Sequence, residues 1–273
     1  MNKNLWVYSL EVPQSMEADD FAFILSEVDN EGIEIQEDII KVYLEEEQLD
    51  PFQQFLVSIS IHVLEKNIVK PQNWNQIWES GFSPLYIQDV LCVKADFHKE
   101  VLPTLHTIIV NPKMSFGTGH HPTTYMMLEM MNEVDFYNKS VMDCGSGTGI
   151  LAIYSEILGA RHILALDNDE WCYTNAIENI SNNNCNNVQA VLGNIYDIID
   201  DFEILLANIH RNYILEHFSF FQKLVKKDGL LFVSGFYKED ARQILEKALT
   251  YDFVAHSIKE KENWCCLAFK KIK

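Results

Sequence analysis

The first 66 residues of the chain alternate short apolar runs with amphipathic segments. Apolar residues at every second position predict strands over residues 6–12, 33–35 and 39–44. Apolar residues at helical spacing predict a helix over residues 15–28. This region therefore mixes helix and strand within a short length of chain.

A second helix is predicted to begin at Asp50, a residue type that suits the N-cap position. Pro51 then takes the first helical position, and Gln53 takes the position that closes a capping box. Apolar residues at helical spacing continue this pattern to about residue 66. Strand, helix, two strands and helix predict a small ferredoxin-like α+β domain over residues 1–66.

The apolar pattern changes twice after the first region. Residues 67–98 carry large apolar groups without a clear period, among them Trp74 and Trp78, which predicts a packed connector. From residue 99 to residue 273, apolar strands alternate with helical segments, which predicts an α/β domain with a doubly wound sheet.

Seven apolar segments form the predicted sheet of the second domain. Five of them are predicted to be parallel, at 140–144, 162–166, 188–192, 202–207 and 230–234. The last two, 253–258 and 264–269, are separated by a short charged turn, and we expect them to pair antiparallel at one edge.

The charge of the chain limits the classes of partner that it can bind. Lys and Arg number 21 against 40 Asp and Glu, which gives a net charge of -19. This charge argues against direct nucleic-acid binding over a wide surface and favours a basic partner. Residues 1–50 hold 14 acidic residues against Lys3 and Lys41, a local net charge of -12.

Composition also bears on location and metal chemistry. No apolar run approaches the roughly 18 residues that span a bilayer, and the first residues lead into no signal-peptide core, so we expect a cytoplasmic protein without a membrane partner. The six cysteines form no Cys-x-x-Cys pair, and His120, His121 and His210 have no Cys or acid at ligand spacing. We therefore predict free thiols and no metal site.

The most specific local pattern is the glycine loop that follows the strand at 140–144. Gly145, Gly147 and Gly149 form G-x-G-x-G rather than the dinucleotide form, because Ile150 stands where the next glycine would be needed. Asp167 ends the next strand, where a carboxylate can accept hydrogen bonds from ribose hydroxyls. The pattern predicts a nucleoside site; an ordinary strand-to-helix turn with a capping aspartate is the alternative.

The loop and Asp167 resemble the class I methyltransferases that use S-adenosylmethionine. Residues 111–124 read Asn-Pro-Lys-Met-Ser-Phe-Gly-Thr-Gly-His-His-Pro-Thr-Thr. They are similar to the signature Pro-Gly-x-Ala-Phe-Gly-Thr-Gly-x-His-Pro-Thr-Thr of the PrmA family, the methyltransferases of large-subunit ribosomal protein eleven. Lys113 and Ser115 replace the usual Gly and Ala. Residues 206–209 and 234–235 agree with the family as well.

This resemblance implies roles for further residues. Thr124 would contact the cofactor, Gly117 and His121 would line its pocket, and Phe116 would line the part of the pocket where methyl transfer occurs. Asn208, which leaves the fourth parallel strand, would contact both the cofactor and the substrate amine. The glycine loop and Asp167 would hold the nucleoside.

The resemblance also implies the function. The chain would transfer methyl groups from S-adenosylmethionine to lysine or N-terminal amino groups of a basic ribosomal protein, with a seven-stranded catalytic domain and an acidic N-terminal domain that presents the substrate. Two alternatives stay open, because fold does not determine function. One is methylation of another protein or a small molecule, and the other is a binding module that keeps the cofactor only structurally.

Overall fold

The computed structural model describes residues 5–13, 16–26, 28–36, 38–69, 83–99, 101–111 and 119–273. The chain divides into two compact units, Met1–Phe82 and Ser83–Lys273. The sequence predicted a separate connector over residues 67–98, whereas residues 83–98 belong to the second unit. The physical reason is strand pairing, because two strands within residues 83–98 form a small sheet with a later strand.

The described part of the first unit has the order β-α-β-β-α-β, which is that of ferredoxin-like units. Its sheet has the order β2-β3-β1-β4, and the paired strands are antiparallel. The elements are β1 Leu5–Glu11, α1 Ala18–Leu25, β2 Gly32–Gln36, β3 Ile39–Leu44, α2 Leu49–Ser58 and β4 Val63–Val69.

The core of the first unit lies between one face of this sheet and the two helices. Alternate residues of β1, Tyr8 and Leu10, are buried together with Phe21 of α1 and Phe52 of α2. The Tyr8 and Phe52 rings meet edge to face, with centroids 5.5 Å apart. The period of two in β1 thus places Tyr8 and Leu10 on the helix-covered face.

The predicted second helix, residues 50–66, is wrong in extent. It starts at Leu49, after a short 3-10 turn, so Asp50 is a helical residue and not the cap, and Pro51 takes the third helical position instead of the first. The helix ends at Ser58, Ser60 takes a left-handed φ of 58°, and the following residues form β4. The spacing of the apolar residues did not distinguish a continued helix from this edge strand. The first helix is also shorter than predicted, Ala18–Leu25.

The second unit contains a seven-stranded sheet with the order β10-β9-β8-β11-β12-β14-β13, and a three-stranded sheet with the order β5-β6-β7. The strands are β5 Leu85–Ile87, β6 Leu91–Lys94, β7 His106–Ile109, β8 Ser140–Cys144, β9 His162–Asp167, β10 Val188–Leu192, β11 Phe202–Asn208, β12 Val225–Tyr237, β13 Phe253–Lys261 and β14 Trp264–Lys271. The helices are α3 Pro122–Met131, α4 Ile150–Ile157, α5 Glu170–Asn182, α6 Arg211–Leu224 and α7 Ala241–Leu249.

Helices cover both faces of the seven-stranded sheet, which confirms the doubly wound α/β fold. Adjacent residues of β8 show this division: Val141 packs in the cluster with α3, α4 and α5, whereas Met142 packs in the cluster with α6 and α7. The five strands from β10 to β12 run parallel. Their carboxyl ends therefore lie at one edge, which is where open α/β sheets bind ligands.

The predicted strands of this sheet agree closely with the structure. β8 and β10 have the predicted bounds, β9 and β11 each extend one residue further, and β12 is longer than the predicted 230–234. β13 and β14 pair antiparallel, as predicted for the last two strands. The three-stranded sheet was not predicted, because its strands are only three or four residues long.

Two further expectations concern composition. Within the described ranges, no helix has the length and apolar character needed to cross a membrane. All six cysteines are free and four of them are buried, which confirms the prediction of thiols rather than disulfides.

A bulge near the end of β12 lies close to the residue that follows β11. Gly235 lies at the register shift between Ser234 and Phe236, with a left-handed φ of 98°. A Cβ at this position would lie 2.2 Å from the carbonyl oxygen of Ile209, whose N–H donates to the Ser234 carbonyl at 3.0 Å. Only glycine permits the two strand ends to approach this closely.

We expect Gly235→Ala to destabilise the second unit by about 1–3 kcal/mol, because the alanine would combine a left-handed φ with a backbone clash. For a unit of this size, that corresponds to a melting temperature lower by roughly 2–12 °C. Gly193→Ala is the matched control, since Gly193 lies near the same edge of the sheet, directly after β10, and an added Cβ would make only ordinary contacts, 3.7 Å or more. Equal melting temperatures for the two variants would contradict the expectation.

Candidate active site

A cavity of about 510 Å³ opens at the carboxyl edge of the seven-stranded sheet. It lies where β8, β9, β10 and β11 end, so residues far apart in sequence meet there. Six of the nine site residues predicted from the sequence line it: His121, Thr124, Gly145, Gly147, Asp167 and Asn208.

The glycine loop is held against the end of β9 by backbone hydrogen bonds. The N–H groups of Gly145 and Ser146 both donate to the carbonyl of Leu166, at 2.8 and 3.0 Å. Gly145 has a φ of 73°, and a Cβ there would lie 2.5 Å from the Ile209 side chain. A side chain at this position would thus displace the residue that follows Asn208.

Gly149 lies away from the cavity lining. It is the N-cap of α4 with a φ of 77°, and a Cβ there would lie 3.3 Å from the Cβ of Ala176 on α5. Its glycine character is explained by close packing between the loop and α5. The structure therefore places Gly149 beside, but not within, the group of predicted contact residues.

Asp167 ends β9 and its carboxylate faces the loop. One oxygen, Oδ2, accepts from the Gly147 N–H at 2.8 Å, and Oδ1 accepts from the Asp169 N–H at 3.1 Å. Each carboxylate oxygen has two lone-pair sites, so both oxygens can accept a further hydrogen bond from a ligand. Asp167 is half-buried on the cavity wall.

Asn208 and Thr124 form a second pair of polar residues in the cavity lining. The Asn208 Nδ2 donates to the Thr124 Oγ1 at 3.0 Å, although the residues are 84 positions apart. Thr124 lies in the first turn of α3, which begins at Pro122. His121 is the N-cap of this helix, and its Nδ1 lies 2.8 Å from the Thr123 Oγ1.

An aromatic group that the sequence did not identify lies beside His121. The Trp264 ring packs edge to face on His121, with centroids 4.7 Å apart, and its centroid is 4.3 Å from that of Tyr237. Trp264 and His121 both line the cavity. Because β14 is antiparallel to β12, the first residue of β14 lies at the carboxyl edge of the parallel strands.

The sequence analysis did not identify several other residues that line the cavity. Gly193, Asn194 and Ile195 follow β10 as the glycine loop follows β8, so strand-end position alone would have indicated them. Tyr213 lies in the first turn of α6, and no local pattern marked it. Two predicted pocket residues, Phe116 and Gly117, lie outside the described residues, as do Trp74 and Trp78.

A buried carboxyl group lies just behind the loop. Asp143 is 1% exposed, and its Oδ2 accepts from the Ala152 N–H at 3.2 Å. Burial, reinforced by the charge of Asp167, raises the pKa of Asp143 to about 7. Burial likewise raises the pKa of the Cys144 thiol to about 12, so this lining residue is a neutral thiol and not a nucleophile at pH 7.

Two buried polar atoms near the loop lack hydrogen-bond partners among the residues that the structure describes. They are the Asp143 Oδ1 and the Ser146 Oγ. Ser146 is one of the residues that line the cavity. No group of three or more His, Cys, Asp or Glu residues in the described ranges is arranged to hold a metal ion.

The fold, with its cavity at the carboxyl edge of the parallel strands, is that of the class I methyltransferases. The crystal structure titled ribosomal protein L11 methylase from Lactobacillus delbrueckii subsp. bulgaricus superposes with a TM-score of 0.65 at 22% identity, covering 70% of this chain and 100% of that chain. The structure titled methyltransferase from Pyrococcus furiosus superposes with a TM-score of 0.53 at 16% identity, covering 61% and 90%. At these identities the likeness shows the fold.

Sequence comparison shows the family. The profile described as "Ribosomal protein L11 methyltransferase (PrmA)" matches residues 9–272, which span most of both units. Proteins named ribosomal protein L11 methyltransferase from Phocaeicola vulgatus and Bacteroides thetaiotaomicron are 39% identical over 203 residues and 36% over 205, and each match covers 72% of both chains. The chain belongs to the ribosomal protein L11 methyltransferase family, a family of enzymes.

We expect the buried Asp143 to make the protein less stable as pH rises. Between about pH 4 and pH 7 the unfolded chain has lost this proton while the folded protein retains it, so the free energy of unfolding falls with pH, by at most about 1.4 kcal/mol per unit. Asp143→Asn should remove this contribution, and urea unfolding at pH 5 and pH 7.5 measures it. Asp200→Asn, at an exposed site, is the control, and an unchanged pH slope in Asp143→Asn would contradict the assignment.

Proposed function

We propose that this protein transfers methyl groups from S-adenosylmethionine to amino groups of ribosomal protein L11, on lysine side chains, the N-terminal amine, or both. One observation carries the proposal: a glycine loop with Asp167 and the Asn208–Thr124 pair converge on one cavity. The names of the relatives support the choice of substrate.

The cavity residues fit S-adenosylmethionine, which joins a nucleoside to an amino-acid tail. The volume of about 510 Å³ lies within the range of roughly 300–1,000 Å³ that small-molecule sites occupy. Asp167 has lone pairs left for two ribose hydroxyls, and Ser146 has an unused hydroxyl. The first turn of α3, which carries Thr124, suits the carboxylate of the tail, because helix N-termini favour anions.

S-adenosylmethionine, when bound, supplies a methyl group attached to a positively charged sulfur. The residues of the chain must then hold a neutral amine in line with that group and exclude water. A free lysine has a pKa of about 10.4, so neutralising it at pH 7 costs about 4–5 kcal/mol. The apolar side chains of Ile209 and Trp264 in the cavity lining lower this cost, because burial disfavours the ammonium form.

Asn208 is the residue that we propose to orient the amine. Its Nδ2 is occupied by the hydrogen bond to Thr124, which fixes the plane of the amide. The amide oxygen then accepts a hydrogen bond from the amine N–H and directs the nitrogen lone pair. No strong general base is needed in this scheme. Phe116, which lies outside the described residues, keeps its predicted role as an apolar wall beside the amine.

We further propose that the acidic first unit docks the protein substrate. Residues 1–50 carry a net charge of -12, which complements the basic character expected of ribosomal proteins. Complementary charge raises the association rate and loses effect as salt screens it. This proposal assigns recognition to the first unit and chemistry to the second.

The proposed activity is tested by incubating the protein with radiolabelled S-adenosylmethionine and separately purified ribosomal proteins. Label in the L11 protein alone is the expected result. Label in a different ribosomal protein, or in none of them while the folded enzyme binds its cofactor, would contradict the proposed substrate.

We expect Asp167→Ala to weaken the binding of S-adenosylmethionine roughly 10- to 150-fold, the equivalent of about 1.5–3 kcal/mol for hydrogen bonds to a charged group. Isothermal titration calorimetry measures this affinity. Asp201→Ala is the matched control, because it removes a carboxylate that is 61% exposed. Asp201 directly precedes β11 and so lies at the edge of the sheet opposite to the cavity. Unaltered affinity in a folded Asp167→Ala protein would exclude the ribose contact.

We expect Asn208→Ala to lower the rate of methyl transfer on the order of 100-fold with little effect on binding of the protein substrate, since orientation matters chiefly in the transition state. Single-turnover rates and KM for the substrate separate the two effects. Asn212→Ala, four residues further along the chain and exposed, serves as the control. A normal single-turnover rate with a raised KM would assign Asn208 to recognition instead.

A further inference from the structure

A buried histidine joins two walls of the cavity. His217 lies on α6 and is 5% exposed. Its Nδ1 lies 2.8 Å from the carbonyl oxygen of Tyr213, and its Nε2 lies 2.6 Å from the hydroxyl oxygen of Tyr196. The proposed transfer chemistry uses neither His217 nor Tyr196.

The hydrogen-bond partners determine which nitrogen carries the proton. A carbonyl oxygen can only accept, so Nδ1–H donates to Tyr213 within the helix. In the neutral imidazole, Nε2 is then an acceptor, and the Tyr196 hydroxyl donates to it. Both nitrogens of the buried ring are thereby satisfied.

His217 supports one wall of the cavity directly. The Tyr213 ring, which lines the cavity, stacks on the imidazole with centroids 3.7 Å apart and an angle of 8° between the planes. The stack leaves the Tyr213 ring little freedom to rotate, because the buried imidazole closes one of its faces.

His217 also secures a second wall through Tyr196. Tyr196 lies in the turn over residues 194–197, which consists of the 3-10 segment Ile195–Asp197 and its N-cap Asn194, and Asn194 and Ile195 line the cavity. The Tyr196 ring packs edge to face on Phe220 of α6, with centroids 4.9 Å apart. The hydrogen bond to His217 and this ring contact tether the turn to α6.

The tethered turn lies at the nucleoside end of the cavity. Gly193, which immediately precedes the turn, donates its N–H to the Asp167 carbonyl at 2.9 Å. Asn208, by contrast, ends β11, and β8 and β9 separate β11 from β10 in the sheet. A change in the position of the turn therefore alters the site beside Asp167 before it alters the site of the amine.

We propose that His217 is a positioning residue for the nucleoside end of the cavity, acting through Tyr196 on the turn after β10 and through Tyr213 on α6. This inference rests on the proposed use of S-adenosylmethionine. It requires that loss of the Tyr196–His217 hydrogen bond weakens binding of the nucleoside ligand while methyl transfer at saturating ligand keeps its rate. A purely structural role would change thermal stability without this separation.

The test is a calorimetric titration with S-adenosylhomocysteine, together with kcat at saturating S-adenosylmethionine. Tyr196→Phe keeps the ring and removes only the hydroxyl, and we expect about 3- to 10-fold weaker binding, the contribution of one hydrogen bond, with kcat within twofold of wild type. Tyr137→Phe, at a site 75% exposed and distant from the cavity lining, should leave both values unchanged.

A double-mutant cycle adds a check on the pairing. In the His217→Phe background, which keeps an aromatic ring under Tyr213, Tyr196→Phe should weaken binding no further, because the hydrogen bond is already absent. His217→Gln, which retains a donor and an acceptor, should recover part of the affinity. If His217→Phe does not fold, Tyr196→Phe alone decides, since its ring is 59% exposed and the change is conservative.

The outcomes separate this inference from the proposed function. Wild-type protein that binds S-adenosylhomocysteine, with a Tyr196→Phe variant of equal affinity, overturns the inference and leaves the proposed function intact. Wild-type protein that does not bind the ligand overturns the proposed function, and the inference with it.

Discussion

The site depends on the hydrogen bond from the Gly147 N–H to the Asp167 carboxylate, 2.8 Å long. This bond and the two backbone bonds to the Leu166 carbonyl hold the loop after β8 on the end of β9. The loop donors are thereby satisfied inside the protein, and the carboxylate keeps lone pairs for a ligand. The same arrangement brings the Asp167 charge near the buried Asp143, whose pKa it helps to raise.

Parallel strand order then separates two tasks along the cavity. β9 and β10 supply Asp167 and the turn after Gly193, whereas β11 and α3 supply Asn208 and Thr124. In the proposed function, the first group binds the nucleoside and the second orients the amine. Because Gly145 has no side chain, Ile209 can lie against the loop between these two groups.

The sequence predicted those parts of the site that lie next to a strand end in the chain. Gly145, Asp167 and Asn208 each end a clear apolar run, so pattern and position together identified them. Trp264 could not be found this way, because it reaches the cavity from an antiparallel strand. The Tyr196–His217 pair could not be found either, because it lies behind the cavity lining and depends on contact between a turn and a helix. The edge strand β4 was taken for helix because its apolar spacing fits both structures.

The most direct test of this account is a crystal structure of the protein with S-adenosylhomocysteine. It should show both ribose hydroxyls within hydrogen-bond distance of the Asp167 carboxylate, and the amino-acid tail of the ligand near Thr124 and the first turn of α3. A ligand bound elsewhere, or bound in this cavity with its ribose directed away from Asp167, would contradict the central claim that the strand ends of β8, β9, β10 and β11 build one site for S-adenosylmethionine.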